Sequence, residues 1–366
     1  MSMEPTSSPG RPQSTDKTDQ DPGLLRDGGK PSGIRRQAAW IVERVLADPP
    51  PEQAGARGLL LEHLAANPGQ PEIALAEHLM ALRFLTGVPD EVEGTTVVPA
   101  PRAPVSRESM SLRIGKVLEG RMLVTAFQPI REISTGDVVG VEAFTRFVSD
   151  GGDTAGDWFA AAAAARLGSE LEFAALQSAL ASAQQLPVHL YVALKLSPAT
   201  CLDPLLPGML EELMPALDRV VLELTEALTP EQPAALVAAL APLRRRGIRL
   251  AVGRVGSYCG SIRHIRQLKP DILKLDRDLV AGIDTGALRH AFGAAMTGFA
   301  DDLGAGLIAE GIETGDELAT LAGLGVTVGQ GYYLGRPTIR PRDWAGWNDP
   351  VREFRLLTGA DGSGPF

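Results

Sequence analysis

From about residue 112 to 340, short apolar runs alternate with alanine- and leucine-rich segments, and this rhythm leaves few folds open. Strand-like runs fall at 123–130 (LVTAFQPI), 138–147 (VVGVEAFTRF), 189–196 (HLYVALKL) and 220–226 (VVLELTE). They continue at 249–255 (RLAVGRV), 272–276 (ILKLD), 306–313 (GLIAEGIE) and 326–335 (VTVGQGYYLG). Helical segments at 157–185, 205–217, 231–246, 259–267, 286–301 and 315–323 separate most of them. Eight strands with helical crossovers predict an α/β chain closed into a (β/α)8 TIM-like barrel. A doubly wound open sheet is the runner-up, but no glycine-rich phosphate loop follows the first strand. Only "REISTGD" joins the first two strands. That is too short for a parallel crossover, so an antiparallel irregularity is expected there.

Barrels of this kind carry their sites at the C-terminal ends of the strands. Those ends hold Gln128, Glu142 with Arg146, Lys195, Glu223 with Glu226, Arg254, Lys274 with Asp276, Glu310 with Glu313, and Gln330. A single such residue reads as an ordinary surface charge. A ring of them around the strands does not, because clustered carboxylates repel one another and resist burial.

The flanks read differently. Residues 1–34, rich in Ser, Pro, Gly and Asp, predict a disordered tail. Residues 35–87 predict a small helical module whose first helix places Ala38, Ile41, Val42 and Val45 on one face. Residues 88–111 read as a Pro-rich linker, 112–340 as the barrel, and 341–366 as a C-terminal helix and tail. A net charge of −10 argues against a nucleic-acid-binding surface. Two cysteines, Cys201 and Cys259, suggest a reducing compartment. No apolar run reaches membrane-spanning length and no signal-peptide core opens the chain, so a cytoplasmic protein without a membrane partner is expected.

The motifs "FQPI", "EAFTR", "ELTE", "DILKLDR", "AEGIET" and "GQGYYLGRP" resemble, in order and spacing, those of EAL domains, the bacterial phosphodiesterases that linearise cyclic di-GMP. The resemblance implies an irregular (β/α)8 barrel with two Mg²⁺ or Mn²⁺ ions that activate a water for in-line attack. It implies that Glu142 and Glu223 are metal ligands, and that Glu310 and Asp276 are further acids of that site. Lys274 matches the lysine near the attacking water, and Glu226 an acid that steadies the metal-site loop. Gln128, Arg146, Glu313, Gln330 and Pro337 match the ligand side, and a homodimer through the barrel is a family habit.

Three positions depart from the family pattern. Lys195 stands in "LKLSP" where active members carry asparagine, and Gly253 and Arg254 stand where they carry paired aspartates. The "EAF" in place of "EAL" is a mild apolar swap without an assigned consequence. A lysine or guanidinium repels a divalent ion instead of ligating it. Lysine for asparagine adds one positive charge, glycine for aspartate one and arginine for aspartate two, which matches the charge of two divalent ions. These readings predict a degenerate EAL protein without resident cofactor, Mg²⁺ or Mn²⁺ entering only with residual activity. Lys195 and Arg254 would balance Glu142, Glu223, Glu310 and Asp276, and together with them line the ligand site and offer hydrogen bonds to a phosphate. The alternative is that the two cations pair internally and close the site. The expected role is a catalytically inactive cyclic di-GMP receptor or signalling regulator with a protein partner. The alternatives are a ligand-free interaction module and a weakly active phosphodiesterase.

Overall fold

The computed structural model describes residues 54–71, 73–75, 77–78, 107–120, 122–148, 153–214, 216–224, 226, 228–255 and 262–348, with Ala39, Val42, Glu43 and Leu46. The expected N-terminal tail, most of the linker, Ala38, Ile41, Val45 and the residues after 348 lie outside them.

Helices α1 (Ala54–Ala66) and α2 (Arg107–Gly120) precede the sheet, and α2 crosses the boundary expected at 111/112. The strands are β1 (Leu123–Glu132), β2 (Val138–Phe147), β3 (Tyr191–Leu196), β4 (Val220–Leu224), β5 (Arg249–Val255), β6 (Ile272–Leu275), β7 (Gly306–Ala309) and β8 (Val328–Gly329). Helices α3 (Ala155–Ala164) and α4 (Gly168–Ala183) follow β2. Helices α5 (Pro198–Cys201) and α6 (Leu205–Leu213) follow β3, α7 (Gln232–Arg245) follows β4, and α8 (Ile262–Leu268) follows β5. Helices α9 (Arg277–Val280) and α10 (Ala287–Leu303) follow β6, α11 (Gly315–Gly323) follows β7, and α12 (Pro341–Ala345) follows β8.

The strands close in chain order into an eight-stranded barrel. Strand β1 runs antiparallel to both β2 and β8, whereas every other pair is parallel. The short β1–β2 turn thus produces the expected irregularity, and the fold is an irregular TIM-like barrel.

Side-chain alternation explains the layers. In β3, Val192, Leu194 and Leu196 join the large core between strands and helices, while Ala193 faces the barrel axis. The axis is filled by Ile130, Ala193, Val221, Ala251, Ile272 and Ile308, a dry plug contributed by six strands. Tyr191 fills the β2 side of this layer, because Gly140 leaves the space for its ring: a Cβ at 140 would lie 2.4 Å from Tyr191 Cζ.

Several expected elements differ in extent, and β7 ends at Ala309 rather than reaching residue 313. The 157–185 segment is two helices, because Arg166 turns to a left-handed φ of 63° and ends α3. The last strand is only Val328–Gly329, and beyond it the backbone of Ile312 packs against Gly331 too closely for a Cβ there. N-terminal to the barrel, Leu60 of α1 and Leu75 bury against Val42 and Ala291 of α10, so the helical segment rests on the barrel's flank. Among the described residues no helix is long and apolar enough to cross a membrane.

Candidate functional site

Each parallel strand continues past its plug residue by one pleat, and period-2 geometry puts the second residue onward on the same inward face. Two positions beyond Ala193, Val221, Ala251, Ile272 and Ile308 stand Lys195, Glu223, Gly253, Lys274 and Glu310. In β1, which runs the other way, Gln128 lies two residues before Ile130 and pairs with Glu142. A layer of charge therefore sits directly on the apolar plug.

Lys274 is the centre of that layer. Its Nζ lies 2.5 Å from Glu142 Oε2, 2.6 Å from Glu223 Oε2 and 2.5 Å from Glu310 Oε1. Lys274, Glu142 and Glu223 are buried, at 1%, 0% and 1% side-chain exposure. A second ammonium, Lys195 Nζ, ion-pairs the other oxygen of Glu142 and lies 4.8 Å from the centroid of the Phe144 ring. Burial opposes ionisation of Glu142, but Lys195 and Lys274 outweigh it and hold the carboxyl well below its usual range. Burial also opposes charge on both lysines, and the carboxylates around them win, raising Lys195 and Lys274 above the ordinary lysine value. Glu223 is left with the deficit. Burial, then Glu142 and Glu310, push it up to about 7 against the pull of Lys274 and Lys195. Three carboxylates facing two ammonium groups leave one negative charge, and protonation of Glu223 removes it.

Carboxylate oxygens of Glu142, Glu223 and Glu310 all lie within 4.8 Å of one another, a set able to hold one cation. Glu223 Oε1 is buried without a hydrogen-bond partner and faces Gly253, where a Cβ would lie 2.5 Å from it. Gly253 thus contributes space and no donor atom.

The other expected site residues separate. Arg254 is exposed at a left-handed φ of 52°, within the β5 irregularity between Val252 and Val255, and the cations on Glu142, Glu223 and Glu310 are Lys195 and Lys274. Asp276 caps α9 by accepting from the Leu279 amide at 3.2 Å. Glu313 pairs with Arg277 at 2.7 Å. Gln330 donates from Nε2 to Gln128 Oε1 at 2.9 Å, Gln128 donates to the Gly335 carbonyl at 2.9 Å, and Gln330 Oε1 is buried without a partner. Pro337 is half-buried beside Thr338, whose backbone bridges to Phe127 of β1.

A cavity of about 380 Å³ opens beside this layer, walled by Phe144, Arg146, Phe159, Glu172, Lys195 and Glu226 among others. Two wall residues, Glu172 and Phe144, go beyond the sequence-predicted site. Glu172 of α4 accepts from the amide and the hydroxyl of Ser197, each at 3.0 Å, and nothing in the spacing of α4 marks it. Phe144 has a signal: it stands two residues after Glu142 in β2 and so shares its inward face.

Residues 112–337 match the EAL domain family. An uncharacterized protein of Sinorhizobium fredii is 26% identical over 253 residues, 67% of this chain and 31% of its own length. The cyclic di-GMP phosphodiesterase RocR of Pseudomonas aeruginosa is 30% identical over 118 residues, 32% of this chain and 30% of its own. Among solved structures, a manganese and cyclic di-GMP complex of Klebsiella pneumoniae BlrP1 is 29% identical, with a TM-score of 0.53, over 60% of this chain and 57% of that one. The chain spans about a third of the length of the first curated relatives it matches. With a charged layer on an apolar plug, an antiparallel first strand and this match over most of its length, the chain belongs to the EAL domain family.

Proposed function

We propose that this barrel is a non-hydrolytic, metal-independent receptor for cyclic di-GMP that passes its occupancy to a protein partner. The observation that carries the reading is Lys195 Nζ ion-paired to Glu142 Oε1 beside a Gly253 that offers no donor atom, while Lys274 Nζ lies within 2.6 Å of all three clustered carboxylates. A pair of divalent ions needs several acids converging on two positions. Here three acids share one position, and two ammonium groups already balance two of their three charges. These residues do not fit paired metals, and the chain supplies no activated water by that route.

Capacity for a ligand remains. Among the described residues, Glu223 Oε1 and Gln330 Oε1 are buried acceptors without hydrogen-bond partners. The adjoining cavity, at about 380 Å³, falls within the range of small-molecule sites and offers aromatic, cationic and carboxylate walls. Such walls suit a ligand that carries a base and a phosphate.

Calorimetric titration of cyclic di-GMP into the full chain, once in excess EDTA and once with Mn²⁺, tests the reading. Equal binding in both is expected. Binding that requires Mn²⁺ overturns it, and absence of binding in both favours an interaction module without ligand.

A further inference from the structure

We infer that Phe144 and Lys195 act as one unit, in which the Phe144 ring is a positioning residue that holds Lys195 as the built-in counter-cation of Glu142. The inference rests on the metal-independent reading above, which it deepens. In the β2–β3 register Glu142 pairs with Ala193. Two residues further along each strand, on the same inward face, come Phe144 and Lys195. The ammonium sits between two attractive surfaces: the Glu142 carboxylate on one side and the face of the ring, 4.8 Å to its centroid, on the other. A lysine side chain that is 39% exposed has solvent-directed rotamers open to it, so holding its ammonium on the buried Glu142 carboxylate costs side-chain entropy. The ring's negative face supplies the second hold. An aliphatic side chain at 144 has no such face. Phenylalanine for leucine and lysine for asparagine, two separate departures from the family motifs, thus form one compensating pair. Because Lys195 also walls the cavity with Arg146, an anionic group entering there meets a cation already fixed in place.

Limited acetic anhydride labelling of the full chain, read by peptide mass spectrometry, tests this without any ligand. Exposed Lys269 reports the reagent and buried Lys274 reports an intact barrel. In the native chain Lys195 labels more slowly than Lys269. Phe144→Leu raises Lys195 labelling about tenfold relative to Lys269, while Phe144→Tyr, which keeps the ring face, stays near the native rate. Where Phe144→Leu also exposes Lys274, Phe144→Met, unbranched and without a ring face, makes the same comparison. Unchanged labelling in the Leu or Met variant, or equal acceleration by Tyr, overturns the inference. Failure of cyclic di-GMP to bind leaves this readout intact, so the two claims fail separately.

Discussion

Replacing Lys274 by methionine removes the ammonium that touches Glu142, Glu223 and Glu310 while keeping an unbranched side chain of similar length. Glu142 keeps Lys195, but the carboxylates of Glu223 and Glu310 lose their direct cationic contact. Lys274 is 1% exposed, so water does not replace what is lost. Breaking a buried pair by deleting one partner costs about 3–5 kcal/mol. For a domain of this size that lowers Tm on the order of 10 °C. The carboxylate cluster is then open to a divalent cation, and Mn²⁺ at about a hundred times its Kd restores ~2.7 kcal/mol by mass action. Thermal and urea unfolding of native and Lys274→Met chains, each with and without Mn²⁺, measures both effects. The reasoning fails if the variant loses less than about 1 kcal/mol, well below the buried-pair range. It also fails if Mn²⁺ stabilises the native chain as much as the variant.

Three further outcomes follow from the same geometry. Glu223 binds its proton more tightly folded than unfolded, so its stabilising contribution is complete below about pH 4.5 and is lost as pH rises through about 7. Unfolding free energies from pH 5 to 8 therefore fall more steeply in the native chain than in Glu223→Gln, by a difference of about 2–3 kcal/mol. Gly253→Asp alone places a Cβ 2.5 Å from Glu223 Oε1 and adds a carboxylate to the cluster, so it lowers stability in urea unfolding. Combined with Lys195→Asn and Arg254→Asp it gains Mn²⁺ affinity measurable by calorimetry. Gly140→Ala drives a methyl into the Tyr191 ring, whose carbons lie 2.4–2.5 Å from that position, and costs about 1–3 kcal/mol by overpacking.

The barrel was legible because its signal is period-2 alternation ended by polar residues, repeated strand after strand. The same alternation identified the inward layer, since Lys195, Glu223, Lys274 and Glu310 each lie two residues past a plug residue. Which of them touch was not legible, because contact across the axis depends on how the strands are staggered, and no local pattern encodes that. Family likeness gives Lys274 a role near a water, and the structure adds that it bridges three carboxylates. Arg254 read as the partner of those acids. Its left-handed φ and the β5 irregularity place it in an exposed position, while Lys195, expected beside it, pairs with Glu142. Phe144 looked like a neutral apolar exchange until the β2–β3 register set it against Lys195. The break at Arg166 was hidden by the strongly helical alanines on either side.

The central proposal is that Lys195 on Glu142, with no donor atom at Gly253, replaces paired metal ions and leaves the barrel without hydrolytic power. Incubation of the full chain with cyclic di-GMP and Mn²⁺ or Mg²⁺, followed by chromatography of the recovered nucleotide, tests it most directly. The account predicts that the cyclic dinucleotide is recovered whole at every metal concentration. Accumulation of the linear dinucleotide, in proportion to enzyme and abolished by EDTA, would contradict it.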